Sequence, residues 1–254
     1  MRIAKYIPNT ITCLNLVSGI LSIIFSFQGN FRSAALFIFA AAVCDFLDGM
    51  TARALKAYSE LGKQLDSLSD LVSFGLAPSF ILYNIMAPVH GDFSEEWTWG
   101  IAALLCLMLA VFSALRLGKF NIDERQETDF YGLPTPAAAI FIASGIHYFS
   151  GYPEIMTYIS ENLFLLPLLS VILSILLVSE IKMFSFKFKS INFYKNKPRY
   201  IFLLAVILIA AVVIPITESV TAAIFVIIVA YIAANIVMAI GRLISRTAPE
   251  KQRK

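Results

Sequence analysis

Charge is scarce in this chain. Asp, Glu, Lys and Arg make up only 15% of its 254 residues, against about a quarter in soluble domains. Hydrophobic side chains reach 59% and the mean hydropathy is +0.78. That much apolar surface cannot all be hidden in one soluble core of this length, so the composition points into the membrane. Histidine is nearly missing as well. The two present, His90 and His147, have no ligand spacing and build no histidine metal site. The three cysteines, Cys13, Cys44 and Cys106, sit in apolar runs without CxxC spacing or even pairing. This pattern rules out a disulfide framework and reads as small buried hydrophobes. No internal repeat, low-complexity tract or soluble domain interrupts the apolar pattern, and no Ser–His or Cys–His pair suggests a covalent nucleophile.

What is present is a series of apolar runs. Eight segments, about 10–28, 33–56, 64–88, 98–117, 134–150, 162–181, 200–216 and 219–241, approach the ~20 residues that cross a hydrocarbon core. Arg2 and Lys5 precede the first run, but no small-residue cleavage site follows it, so it reads as a retained span. The expected fold is all-α: a polytopic transmembrane helical bundle of about eight spans. It forms one domain over 1–254, with a catalytic core at about 8–150 and additional spans at about 162–241.

Placing the N-terminus inside puts nineteen of the twenty Lys and Arg on the cytoplasmic side, with Arg32 alone outside. The loop 88–97, on the other face, holds Asp92, Glu95 and Glu96. The positive-inside bias therefore predicts both termini in the cytoplasm. The run from Lys182 to Arg199 carries six basic residues, and reads as a cytoplasmic loop touching anionic headgroups rather than a nucleic-acid patch.

Four aspartates stand out against this background because ionisable groups at membrane depth are costly and usually have a task. Asp45, Asp48, Gly49 and Ala52 follow i, i+3, i+4, i+7, one face of a helix. Gly62, Asp66 and Asp70 follow i, i+4, i+8, again one face. A turn between them would lay the two helices antiparallel and bring the four carboxylates together. Their repulsion demands protons or cations. Oxygen-only ligands favour a hard cation such as Mg²⁺ or Mn²⁺. The small residues Gly49, Ala52 and Gly62 would let a flat group lie against the helices, the competing role being close helix packing.

The pattern Asp45-xx-Asp48-Gly49-xx-Ala52-Arg53, eight residues, then Gly62-xxx-Asp66-xxx-Asp70, resembles the signature of the CDP-alcohol phosphatidyltransferase family at every fixed position. The resemblance implies a helical membrane fold with a polar cavity open to the cytoplasm. It implies that Asp45, Asp48 and Asp66 hold divalent metal, and that Asp70 acts as general base and as a further metal ligand. It places the nucleotide on Gly49, Arg53, Ser59 and Gly62, with Asn9 and Thr12 fitting a further family feature at the entrance of the first span. Three more segments are similar to the serine-accepting branch: Ser73-Phe74-Gly75-Leu76-Ala77-Pro78, Arg116-Leu117-Gly118-Lys119-Phe120-Asn121, and Gly132-Leu133-Pro134-Thr135-Pro136-Ala137-Ala138-Ala139. The second departs from that branch, where Ala-Arg is common in place of Gly118-Lys119.

On this resemblance the donor is CDP-diacylglycerol, the acceptor is L-serine, and CMP is released. The implied setting is the inner membrane with the site facing the cytoplasm, no nucleic acid as partner, and a homodimer. Arg116 and Lys119, with Ser73 and Asn121, are the candidate contacts to the acceptor. The competing readings are a sister enzyme that accepts glycerol phosphate or inositol phosphate, and a cation transporter, whose carboxylates would sit nearer the midplane.

Overall fold

The computed structural model describes residues 6–86, 97–122, 130–183 and 193–247. Helices cover all eight expected segments: α1 (Tyr6–Phe27), α2 (Phe31–Ala54), α3 (Glu60–Asp70), α4 (Ala77–Met86), α5 (Trp97–Cys106), α6 (Met108–Ile122), α7 (Thr135–Phe149), α8 (Pro153–Glu161), α9 (Leu165–Val178), α10 (Phe193–Thr217) and α11 (Val220–Thr247). A two-residue antiparallel ladder pairs Phe130–Tyr131 with Lys182–Met183. Residues 87–96, Arg125 and residues 184–192, which carry Lys187 and Lys189 of the basic run, lie outside the described residues.

Among the described residues six helical stretches are long and apolar enough to span a membrane. The count departs from eight at two places. Helix α7 has 15 residues, about 22 Å of rise against a hydrocarbon core of about 30 Å. Helices α8 and α9 meet at a 77° bend; together they make at most a seventh, broken span. Pro153 opens α8 and Pro167 lies in the first turn of α9, positions where a proline's missing N–H costs no helical bond.

Helix α1 shows how the bundle is built. Its buried face is Pro8, Thr12, Asn15, Gly19, Ser22 and Ser26, a stripe of small and polar residues at helical spacing. Its outward face carries Leu14, Val17, Ile20 and Ile24. This is the reverse of a soluble amphipathic helix. In lipid, small residues let backbones approach, and hydroxyls bond across helices. Ser22 donates to the Ala34 carbonyl of α2 at 2.8 Å, and Asn84 of α4 donates to the Ser26 hydroxyl at 2.9 Å.

Helices α3 and α4 form one span, Glu60–Met86, joined by a π-helical segment, Leu71–Leu76. Pro78 lacks an N–H, the Ala77 amide reaches back five residues to the Val72 carbonyl, and the Ser79 hydroxyl donates to the Gly75 carbonyl at 2.6 Å. The wide turn therefore has a local cause. Helices α1, α6 and α7 all pack around it. Helix α11 covers α7, where Phe225 stacks on Phe141 at 4.9 Å. Helix α10 packs on α11 and exposes Ile201, Leu204, Ile207 and Leu208.

Candidate functional site

The turn 55–59 brings the aspartates together. Lys56 adopts φ 48° and the Ala57 amide bonds the Ala52 carbonyl at 2.9 Å, which stops α2. Ser59 starts α3 as its N-cap, accepting the Gly62 amide at 3.0 Å. The chain thus reverses within a few residues and sets the acidic face of α3 against that of α2. One carboxylate oxygen from each of Asp45, Asp48 and Asp66 lies within 4.8 Å of the others. At that spacing each pair of charges repels by about 3 kcal/mol at an effective dielectric near 20. Asp48 is 6% exposed and its Oδ2 is buried without a hydrogen-bond partner. An all-oxygen cluster with an unsatisfied buried carboxylate oxygen fits a divalent metal ion.

These carboxylates open onto a cavity of about 510 Å³ at the end of the bundle where α2 turns into α3. Asn9, Thr12, Gly49, Ala52, Arg53, Ser59 and Gly62 all line it, so every expected nucleotide-side residue is brought to one place. The two glycines differ in what they do. A Cβ on Gly49 would meet nothing within 4 Å, so this glycine keeps cavity space open. A Cβ on Gly62 would come 2.9 Å from Asn9 Oδ1 and 3.0 Å from Ser59 Oγ, so this one is closely packed. Lys63, which the sequence reading did not single out, is also in the wall; its place beside Gly62 was the available signal.

Asp70 lies one turn beyond Asp66, deeper along the span. Its Oδ1 accepts from Asn15 Nδ2 at 3.2 Å. Asn15 is fully buried, and the Ser73 hydroxyl donates to its backbone carbonyl at 2.9 Å. Asn15 was missed as a site residue, although it continues the Pro8–Thr12 face of α1. Arg116 of α6 is 7% exposed and lies within electrostatic reach of Asp70. Its Nη1 donates to Thr135 Oγ1 at 3.0 Å, which joins two of the sequence segments described above. Tyr231 of α11 comes within electrostatic reach of Arg116.

Three expected acceptor contacts are engaged elsewhere. Ser73 is fully buried in its bond to α1. Lys119 pairs with Glu180 at 3.6 Å, both side chains solvent-accessible. Asn121 donates to the Ser67 hydroxyl at 2.9 Å, tying α6 to α3.

The family model for CDP-alcohol phosphatidyltransferase matches residues 5–176. The chain belongs to this family. The match takes in both the aspartate cluster and the Arg116–Thr135 pair, and stops before α10 and α11. Among its relatives this CDP-alcohol phosphatidyltransferase is similar to the CDP-diacylglycerol–serine O-phosphatidyltransferase of Bacillus subtilis (strain 168), 37% identical over 184 residues, which is 72% of this chain and 92% of that protein. The protein of the same name from Helicobacter pylori (strain 26695) is 31% identical over 182 residues, 71% of this chain and 72% of the relative. An archaetidylserine synthase from Methanothermobacter thermautotrophicus is 34% identical over 148 residues, covering 58% and 59% of the two chains.

Proposed function

We propose that this protein is a membrane-embedded CDP-diacylglycerol–serine O-phosphatidyltransferase, which moves the phosphatidyl group from CDP-diacylglycerol to L-serine and releases CMP. The observation that carries the reading is the convergence of Asp45, Asp48 and Asp66 at one end of the bundle, with Asp70 one turn further in. The naming of both the bacterial and the archaeal relatives for serine products supports the acceptor. The cluster's position at the bundle end, rather than at midplane, argues against an ion pathway.

The acyl chains of the donor stay in the bilayer and its CDP group enters the cavity. Asn9, Thr12, Gly49, Ala52, Ser59 and Gly62 form the walls against which the nucleotide lies. Arg53 and Lys63 supply positive charge toward its phosphates. Asp45, Asp48 and Asp66, with Asp70 as a further ligand, would hold a divalent ion, Mg²⁺ or Mn²⁺, and the ion would neutralise charge on the pyrophosphate and the leaving CMP. The serine hydroxyl oxygen forms a bond to the phosphorus that carries diacylglycerol, and the bond from that phosphorus to the CMP oxygen breaks. Asp70 accepts the hydroxyl proton. Positioning does most of the work, as in other phosphoryl transfers, and no covalent enzyme intermediate is required. Arg116 holds the serine carboxylate through its planar donors; Ser73 and Asn121 brace the helices around it through their bonds to α1 and α3.

The segregation of basic residues supports a cavity on the cytoplasmic side of the inner membrane, and an even number of spans would keep both termini on that side. The catalytic core is residues 8–150 of a single transmembrane domain. The deciding experiment gives the purified protein CDP-diacylglycerol with L-serine, glycerol phosphate or inositol phosphate. CMP release that depends on L-serine is expected; release with a polyol phosphate instead would overturn the acceptor assignment.

A further inference from the structure

Several polar atoms on α1 and α6 are buried yet lack hydrogen-bond partners: Asn15 Oδ1, Ser113 Oγ and Arg116 Nε. Buried polar groups are seldom left unpaired, and each one costs free energy unless something fills the gap. Two of these atoms have fixed and opposite character. An ionised carboxylate accepts only, so with Asp70 ionised Asn15 turns its amide N–H toward it and keeps Oδ1, a pure acceptor, for another group. Arg116 Nε is a pure donor carrying positive charge. Ser113 lies one turn before Arg116 on α6, and its Cβ stands 3.0 Å from the Cβ that Gly75 would carry, so this face of α6 rests on the π-helical segment.

Helix α6 packs on the π-helical segment that follows Asp70 and so carries Arg116 to the same region, yet among the described residues no direct ion pair joins Arg116 and Asp70. Arg116 spends its Nη1 on Thr135 instead. A buried cation and a buried carboxylate held near each other but apart match a ligand that brings both charges with it.

We propose that Asn15 and Arg116 form a recognition pair for the zwitterionic head of an amino-acid acceptor. The ammonium goes to Asn15 Oδ1, beside the Asp70 carboxylate, and the carboxylate goes to Arg116 Nε. This inference rests on the reading of the protein as a phosphatidyltransferase and deepens it: the pair selects an α-amino acid over a bare alcohol or a polyol phosphate. It gives the ammonium to Asn15 rather than to Ser73 or Asn121, since both of those side chains are committed to internal bonds. In the sequence Asn15 is legible only as one more small polar residue on the inner face of α1.

The test uses the full chain in mixed lipid–detergent micelles. CMP release is measured with L-serine, with ethanolamine (no carboxylate) and with 3-hydroxypropionate (no ammonium). The wild type should favour L-serine at least a hundredfold in kcat/KM over both analogues. Asn15→Ala and Arg116→Lys should each raise the KM for L-serine at least tenfold while the KM for CDP-diacylglycerol stays within twofold. A purely structural role would raise both KM values together, or would lower kcat alone, and either result overturns the pair. Ethanolamine or 3-hydroxypropionate working as well as L-serine overturns it without any variant, so the question survives even if a substitution prevents folding. If no acceptor releases CMP, or only a polyol phosphate does, the underlying enzyme reading fails; normal serine turnover with unmoved KM values in both variants sinks the pair alone.

Discussion

A single methyl group separates the roles of Gly49 and Gly62. At Gly49 a Cβ would project into open space, so Gly49→Ala should leave the thermal midpoint in detergent unchanged while raising the KM for CDP-diacylglycerol severalfold. At Gly62 the same methyl would press on Asn9 and on the Ser59 hydroxyl that caps α3. Losing such a cap costs about 1 kcal/mol, so Gly62→Ala should lower the midpoint as well as the activity. Equal stability of the two variants would contradict these assignments. Asp70→Asn bears on chemistry rather than packing. It should cut kcat at least a hundredfold, in the range ascribed to general-base catalysis, in a protein that still inserts and still shows the wild-type midpoint. Near-normal turnover would remove Asp70 as the base.

At the scale of elements, the segment Gly132–Thr135 holds α7 against the end of α9. Gly132 adopts φ 75°. Its amide donates to the Ile181 carbonyl at 2.9 Å, and the Leu133 amide donates to the Leu176 carbonyl at 2.9 Å. A Cβ here would overlap the Leu177 carbonyl and sit 3.0 Å from that of Ser179. These are backbone atoms that cannot swing away. Gly132→Ala should therefore destabilise by about 2 kcal/mol or more, measured as a lower midpoint. It should also weaken serine use, because Thr135, three residues on, is the hydrogen-bond partner of Arg116; a variant with wild-type stability would show that the turn tolerates a side chain. The helices themselves were legible from their apolar runs. The π-helical turn after Asp70 and the 77° bend between α8 and α9 were not. Hydropathy reports that a segment is apolar and helical, and is blind to which carbonyls Ala77 and Ser79 bond around the wide turn.

At the scale of the whole molecule, the acidic end of the bundle needs compensating charge. Three carboxylate oxygens within 4.8 Å of one another repel strongly where water is limited. Chelation with EDTA should abolish CMP release, and Mg²⁺ or Mn²⁺ should restore it. The ion should also raise the thermal midpoint of the wild type, through binding to the folded form, and should do so less for Asp48→Asn. Turnover that persists in EDTA would remove the metal from the site.

The sequence by itself determined the membrane class, the helical segments and the aspartate cluster. These follow from local regularities: apolar runs long enough for lipid, and acidic residues at helical spacing on either side of a short turn. It also marked the Ser73, Arg116 and Gly132 segments, but not what their side chains touch. Only the tertiary structure decided that Thr135 meets Arg116, that Asn15 holds Asp70, and that Tyr231 from the far end of the chain comes within electrostatic reach of the same arginine. Those partners are separated by tens of residues and lie on different helices. Their meeting depends on how the helices pack, and no spacing along the chain encodes it.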